Sequence, residues 1–115
     1  MDGSESDCVF CNIVQGKASA DVVYEDEFVV GFWDARPARP VHILIVPRTH
    51  IPTLNDISED DHILSHIGQA AARIAADFGV ADSGYRLLIN VNREGGQVIF
   101  HLHAHLMAGR KRGSI

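Results

Sequence analysis

The sequence predicts an α+β domain with a five-stranded antiparallel sheet, one long helix and a short helix near the N-terminus. Apolar residues follow a helical period over one long stretch that ends at Gly79. About five shorter runs have the composition of β-strands, mostly in hairpin order. A chain of 115 residues suffices for one such domain and is too short for two, so residues 1–115 are assigned to a single domain.

The first three elements are a short helix and a hairpin. Residues 9–14 carry apolar side chains at helical spacing and stop before Gly16, a residue that favours a helix end. Residues 21–24 and 28–32 are rich in β-forming residues, and the acidic turn between them predicts a hairpin. Two prolines in residues 34–40 predict a loop.

The middle of the chain predicts a buried strand and the long helix. Residues 42–46 are nearly all apolar, which favours a central strand covered on both faces. Ser58 and Asp61 resemble a capping box before the helix. The helix has one apolar face, formed by Ile63, Ile67, Ala70, Ala71, Ile74 and Phe78. Residues 85–90 and 98–107 predict the last two strands, around a turn at residues 92–96.

Charge and hydropathy exclude several classes of partner. The net charge of −5 disfavours a nucleic-acid-binding face. No run approaches the roughly 18 apolar residues of a membrane span, and the chain begins with acidic and polar residues, so we expect a cytoplasmic protein without membrane contact. Residues 110–112 are basic but predict a solvated tail. We expect residues 1–6 and 110–115 to be flexible.

Three histidines mark the predicted reactive site. His101, His103 and His105 alternate along a predicted strand, so their side chains share one face while Leu102, Ala104 and Leu106 face the long helix. Two chemical interpretations remain open: the imidazoles ligate a catalytic zinc ion, or one imidazole is a nucleophile. A nucleophilic ring must be neutral, with one nitrogen free and the other N–H held by an acceptor. The middle ring, His103, is the natural candidate.

The chain resembles a known family in several separate motifs. Residues 101–107 match the pattern His-φ-His-φ-His-φ-φ of the histidine triad (HIT) family, where φ is apolar. Asn90, Asp34 and the segments 7–11, 40–42, 46–50 and 95–97 resemble its Hint branch, the histidine triad nucleotide-binding proteins.

This resemblance implies the HIT fold and a homodimer with a continuous ten-stranded sheet. It also implies hydrolysis of purine nucleoside 5′-phosphoramidates or related AMP or GMP conjugates through a nucleotidyl-histidine intermediate, with no cofactor required for catalysis. The alternative is a nucleotide-binding regulatory module with little turnover.

The resemblance also implies roles for single residues. His103 falls at the position of the nucleophile, His105 and His42 at those that order it, and His101 near the leaving group. Asn90, Gln97 and the backbone around Gly96 match phosphate contacts, and Asp34 matches the carboxylate that binds the ribose. The implied base pocket comprises Val9, Phe10, Ile13, Phe32 and Trp33. Val98 departs from the family, because relatives often carry a hydroxyl residue there.

Two cysteines predict a second site. The spacing of Cys8 and Cys11 favours a metal half-site or a redox pair over a structural disulfide. The resemblance adds His50 and His101 and implies a structural zinc ion, since two thiolates and two imidazoles make a closed tetrahedral site. If His101 is a ligand, its ring is not free for leaving-group chemistry, which then falls to His103 and His105.

Overall fold

A computed structural model of the chain describes residues 7–109, and the two segments predicted to be flexible, with the basic residues 110–112, lie outside them. The helices are α1 (Val9–Val14) and α2 (Ile63–Asp77), with single 3₁₀ turns at Leu54–Asp56 and Arg93–Gly95. The strands are β1 (Val22–Glu25), β2 (Val29–Trp33), β3 (Val41–Pro47), β4 (Tyr85–Leu88) and β5 (Ala104–Ala108). They form one antiparallel sheet in the order β1-β2-β3-β5-β4, which confirms the predicted fold class.

The central strand β3 has both faces covered, as its apolar run predicts. Ile43 and Ile45 pack in the cluster that contains α2. Leu44 and Val46 point the other way, into a second cluster that contains Phe10 of α1. The sheet therefore separates a large core under α2 from a smaller one under α1. No described helix is long and apolar enough to cross a membrane.

The capping box predicted for α2 is wrong. The helix begins at Ile63, whose N–H donates to Asp61 Oδ1 at 2.8 Å, and Ser58 takes no part in its cap. A capping box does occur earlier, where Thr53 and Asp56 bond each other's backbone around the 3₁₀ turn. Gly79, with φ at +72°, ends α2 as predicted.

The last strand is shorter than predicted: its ladder with β3 begins at Ala104, although β3 continues to Pro47. Residues 98–103 run outside the sheet, and Leu102 donates its N–H to the carbonyl of Ile51 at 2.6 Å. The preceding strand likewise ends at Leu88 rather than residue 90. The predicted alternation of side chains is confirmed on the apolar face, because Leu102, Ala104 and Leu106 all lie in the core under α2.

Replacing Ile67 with alanine tests the core under α2. Ile67 is fully buried there, so we expect the free energy of unfolding to fall by about 2–5 kcal/mol from lost apolar burial and the cavity left behind. Urea unfolding followed by circular dichroism measures the change. Ser65→Ala, on the exposed side of the same helix, is the matched control and should shift stability by less than about 0.5 kcal/mol. An equal loss in both variants would contradict this packing.

Candidate active site and metal centre

The ring of His103 is held in one tautomer. Its Nδ1 lies 2.8 Å from the carbonyl oxygen of His101, which can only accept, so Nδ1 carries the proton. In the neutral ring Nε2 then bears the free lone pair. Nε2 has no hydrogen-bond partner within residues 7–109, and since no buried side-chain N or O atom there lacks one, Nε2 keeps contact with solvent. The geometry is that required of a nucleophilic imidazole.

A chain of hydrogen bonds sets the tautomers of His42 and His105. The backbone N–H of Ala38 donates to His42 Nδ1 at 2.9 Å, so the proton of the neutral ring lies on Nε2. Nε2 in turn lies 3.0 Å from His105 Nδ1, which must accept. The remaining proton of His105 therefore lies on its Nε2. His103 and His105 are adjacent, with ring centroids 5.1 Å apart, so the site pairs a lone pair with an N–H donor.

Burial keeps these rings neutral. Desolvation lowers the pKa of His103 and of His42 below the usual 6.5. Desolvation, with smaller contributions from the neighbouring His103 and His42, lowers the pKa of His105 to about 4. At pH 7 the three imidazoles carry no charge, and the tautomers above apply.

A cleft of about 600 Å³ opens beside these rings. The five predicted base-pocket residues Val9, Phe10, Ile13, Phe32 and Trp33 all line it, together with Asp34, Leu44 and Ile99. Phe10 connects the cleft to His103, because the two rings meet edge to face at 5.0 Å. Asp34 connects it to the hydrogen-bond chain, with Oδ2 at 3.5 Å from His42 Nε2. The structure thus brings the predicted pocket and the predicted reactive rings together.

The loop at residues 92–97 contains Gly96 and Gln97, and the side chain of Gln97 bonds the protein's own backbone. Gln97 is buried; its Oε1 accepts from the N–H of Asn92, and its Nε2 donates to the carbonyls of Pro52 and Ile99. Asn92 has φ +62° and ψ 178°, a conformation that is rare for residues other than glycine. The amide of Gln97 therefore clamps a strained loop. In this conformation the side chain of Gln97 makes its hydrogen bonds within the protein, and its predicted phosphate contact stays a prediction.

The backbone amides of this loop are also largely used. The N–H of Gly96 donates to the carbonyl of Arg93 and that of Gln97 to the carbonyl of Asn92, so both are engaged within the loop in this conformation. Within residues 7–109 the N–H of Val98 has no partner, and its side chain is 85% exposed. Asn90 lies beside Gly96: a Cβ atom added to Gly96 would lie 3.8 Å from the side-chain amide of Asn90. The family resemblance places Val98 on the phosphate side, but no residue type signals a free backbone N–H, so the sequence could not show that its amide has no partner.

The predicted metal ligands converge behind the cleft. The Sγ atoms of Cys8 and Cys11 lie 3.4 and 3.5 Å from His101 Nδ1. His50 Nδ1 lies 3.2 Å from Cys11 Sγ and 3.3 Å from His101 Nδ1. A tetrahedral zinc ion with ordinary bond lengths separates its nitrogen and sulfur ligands by roughly 3.3–3.8 Å. We call these four residues the Cys/His cluster; its donor set and spacing suit that ion.

His101 belongs to the Cys/His cluster and not to the cleft. It is completely buried, and its Nε2 donates to the carbonyl of Pro47 at 2.8 Å, so the lone pair on Nδ1 faces the two thiols. A backbone carbonyl behind the ring is the usual support of a metal-binding histidine. Both nitrogens are thus engaged away from solvent, which speaks against the predicted position of this ring near a leaving group.

The three histidines of the triad do not converge on one point. Among residues 7–109, no group of potential metal ligands contains more than one of them. Asp34, His42 and His105 do form a second group, but a metal ion on His42 Nε2 would force the ring proton onto Nδ1, which already faces the N–H of Ala38. This geometry favours a hydrogen-bond chain over the catalytic zinc of the alternative interpretation.

The chain is similar to known proteins over most of its length. The family profile described as HIT domain matches residues 15–112. A purine nucleoside phosphoramidase of Escherichia coli strain K12 is 44% identical over 106 residues, which is 91% of this chain and 89% of that protein. The crystal structure of a HIT family hydrolase from Legionella pneumophila Philadelphia 1 is 46% identical with a TM-score of 0.87, over 90% of this chain and 94% of the other. A Zn-bound histidine triad family protein from Mycobacterium smegmatis is 35% identical with a TM-score of 0.79, over 95% and 79%.

Proposed function

The chain belongs to the HIT domain family, and on that premise we propose that it hydrolyses purine nucleoside 5′-phosphoramidates or related nucleotidyl conjugates to the nucleoside monophosphate. One observation carries the proposal. His103 has its Nδ1 proton bound to a backbone carbonyl and its Nε2 free, beside a largely apolar cleft that also presents a carboxylate. The 44% identity to a purine nucleoside phosphoramidase supports the substrate class.

In the first step His103 Nε2 attacks the α-phosphorus. The new N–P bond forms as the bond from phosphorus to the leaving amine breaks, and the amine departs with that electron pair and takes a proton from solvent. The nucleotidylated ring is cationic while it keeps its Nδ1 proton, and the carbonyl of His101, 2.8 Å away, stabilises that charge.

In the second step water attacks phosphorus and the bond to Nε2 breaks. The electron pair returns to His103, the monophosphate is released and the proton of the water passes to solvent. In both steps His105 Nε2–H is suited to donate to a non-bridging oxygen of phosphorus, where negative charge grows. His42 acts behind it as a positioning residue, because its Nε2–H fixes the His105 tautomer.

The cleft suits the rest of a purine nucleotide. Phe32 and Ile13 offer apolar walls to the base, and Asp34 at the cleft is placed to accept from ribose hydroxyls. We assign the backbone contact to phosphate to the free N–H of Val98, instead of Gly96. Asn90, beside that loop, is the nearby side-chain donor.

We further propose that the Cys/His cluster holds a structural zinc ion, and that catalysis requires no cofactor. The donor set, the distances and the support of His101 by Pro47 back this assignment. When bound, such an ion supplies a cross-link between the N-terminal segment and the loops that carry His50 and His101. With four protein ligands, the ion has no open position for substrate.

A homodimer is the assembly we propose. The strand β4 lies at an edge of the sheet; among residues 7–109 no strand pairs with its outer side, and the side chains of Tyr85 and Leu87 are exposed. Pairing with the same strand of a second copy would cover this edge and give a ten-stranded sheet. Light scattering coupled to size-exclusion chromatography tests this, and a mass of 12.6 kDa at micromolar concentration would reject it.

The test of the activity is hydrolysis of adenosine and guanosine 5′-phosphoramidates, followed by chromatographic detection of AMP and GMP. We expect catalytic release of the monophosphate, and a strong chelator should reduce it without abolishing it. Binding of AMP without turnover would instead identify a nucleotide-binding regulatory module. Complete loss of turnover on chelation at saturating substrate, with the fold intact by circular dichroism, would favour the catalytic zinc of the alternative interpretation.

The pH dependence of this reaction is a separate prediction. Protonation of His105 at Nδ1 would break the bond from His42, so the neutral ring is the active form. Because burial lowers the pKa of His105 to about 4, kcat/KM should stay level from pH 8 to 6.5 and decline only below that range. Initial rates between pH 5 and 8, corrected for the uncatalysed reaction, measure the profile. A decline centred at pH 6.5 or higher would show that burial does not keep these rings neutral.

A further inference from the structure

The short helix α1 contributes to both the Cys/His cluster and the cleft. Cys8 caps the helix and accepts the N–H of Cys11 at 3.4 Å, and both thiols face His101. Phe10 and Ile13 of the same helix line the cleft. A helix of six residues is not stable by itself, so its position depends on its contacts with the rest of the domain, those of the two thiols included. Any change at the thiols must therefore move part of the cleft wall.

A second connection runs through residues 101–103. The ring of His101 belongs to the Cys/His cluster, whereas its carbonyl oxygen holds the proton of His103 Nδ1. Phe10 meets both rings edge to face, at 5.9 Å from His101 and 5.0 Å from His103. Displacing His101 would thus disturb the group that sets the His103 tautomer.

From these two connections we infer that metal binding at the Cys/His cluster and nucleotide binding in the cleft strengthen each other. This inference rests on the proposed nucleotide function. Cys8, Cys11, His50 and His101 are then positioning residues: they act on the site through Phe10 and through the carbonyl that orients His103. A metal ion that fixes α1 removes part of the ordering cost of nucleotide binding, and the coupling must be reciprocal.

The first experiment measures both affinities. We expect AMP to bind the zinc-loaded protein at least about fivefold more tightly than the metal-free reduced protein, by isothermal titration. Zinc, titrated against a chromophoric chelator, should bind more tightly by the same factor when AMP is saturating. Equal AMP affinity in the two forms would overturn the inference.

Three variants separate the coupling from a general loss of structure. His50→Ala removes a ligand that does not line the cleft, and we expect zinc and AMP affinity to fall together. His50→Cys retains four ligands and should restore both. His62→Ala, an exposed histidine outside the cluster, should change neither. Loss of zinc affinity in His50→Ala with AMP affinity unchanged would contradict the coupling.

A spectroscopic measurement without nucleotide tests whether zinc at the Cys/His cluster sets the tautomer of His103. In long-range ¹H–¹⁵N spectra the His103 ring should show only the Nδ1–H tautomer when zinc is bound, and a mixture of tautomers after its removal. If AMP binds neither form, the proposed function is wrong, and these signals still test the connection from the Cys/His cluster to the ring of His103. Ring signals of His103 that do not change on zinc removal would overturn it.

Discussion

Replacing His103 with alanine should lower kcat for adenosine 5′-phosphoramidate by at least about 10⁴-fold, because the nucleophile is lost with nothing to replace it. Within residues 7–109, His105 is the other histidine of the triad that faces the site. Its Nδ1 accepts a hydrogen bond from His42, and its Nε2 carries the proton. That ring cannot take over the attack without a change of tautomer. Steady-state kinetics with wild type and variant, under identical conditions, measure the loss.

The same variant separates chemistry from binding. The His103 ring does not line the cleft, so AMP affinity should change far less than kcat. With wild-type protein denatured at alkaline pH during turnover, where a bond between phosphorus and an imidazole nitrogen survives, mass spectrometry should detect an adduct of one nucleotidyl group on the peptide that contains His103, and His103→Ala should give none. Turnover retained within about tenfold of wild type would exclude His103 as the nucleophile.

The alternation of side chains at residues 101–106 could be predicted because it depends on a local two-residue period. The start of β5 could not, because residues before Ala104 bond elsewhere: Leu102 donates its N–H to the carbonyl of Ile51, more than fifty residues earlier in the chain. The helix cap shows the same limit. Both Ser58 with Asp61 and Thr53 with Asp56 have capping-box spacing, and tertiary structure selects the second.

In the candidate site, sequence motifs predict which side chains come together but not which backbone groups they bond. The four residues of the Cys/His cluster are chemically distinctive, so their grouping could be proposed from residue types and a family resemblance. The role of Gln97 depends instead on the carbonyl of Pro52, 45 residues away, which has no signature in the sequence. The same holds for the N–H of Ala38, which fixes the tautomers of His42 and His105. Backbone groups set much of the electrostatics here, and a sequence does not reveal which of them are free.

Removing the metal ion should have the second large effect, on stability. A ligand that binds only the folded protein adds about 4 kcal/mol when its free concentration exceeds Kd a thousandfold. In a domain of about 100 residues each 1 kcal/mol moves Tm by about 4–8 °C. We therefore expect a strong chelator, or the substitution Cys11→Ser, to lower Tm by roughly 15 °C or more. Differential scanning calorimetry under reducing conditions measures the shift.

The controls follow from the position of Cys11. Chelator added to Cys11→Ser should change Tm little, because the ligand set is already broken, and zinc returned to the chelated wild type should restore its Tm. A Tm that is the same with and without chelator, together with two thiols that react freely with a thiol reagent, would show that the cluster binds no metal. The hydrogen bonds among its four side chains and the apolar packing of Phe10 would then hold α1, and since α1 forms one wall of the cleft, nucleotide binding would depend on them as well.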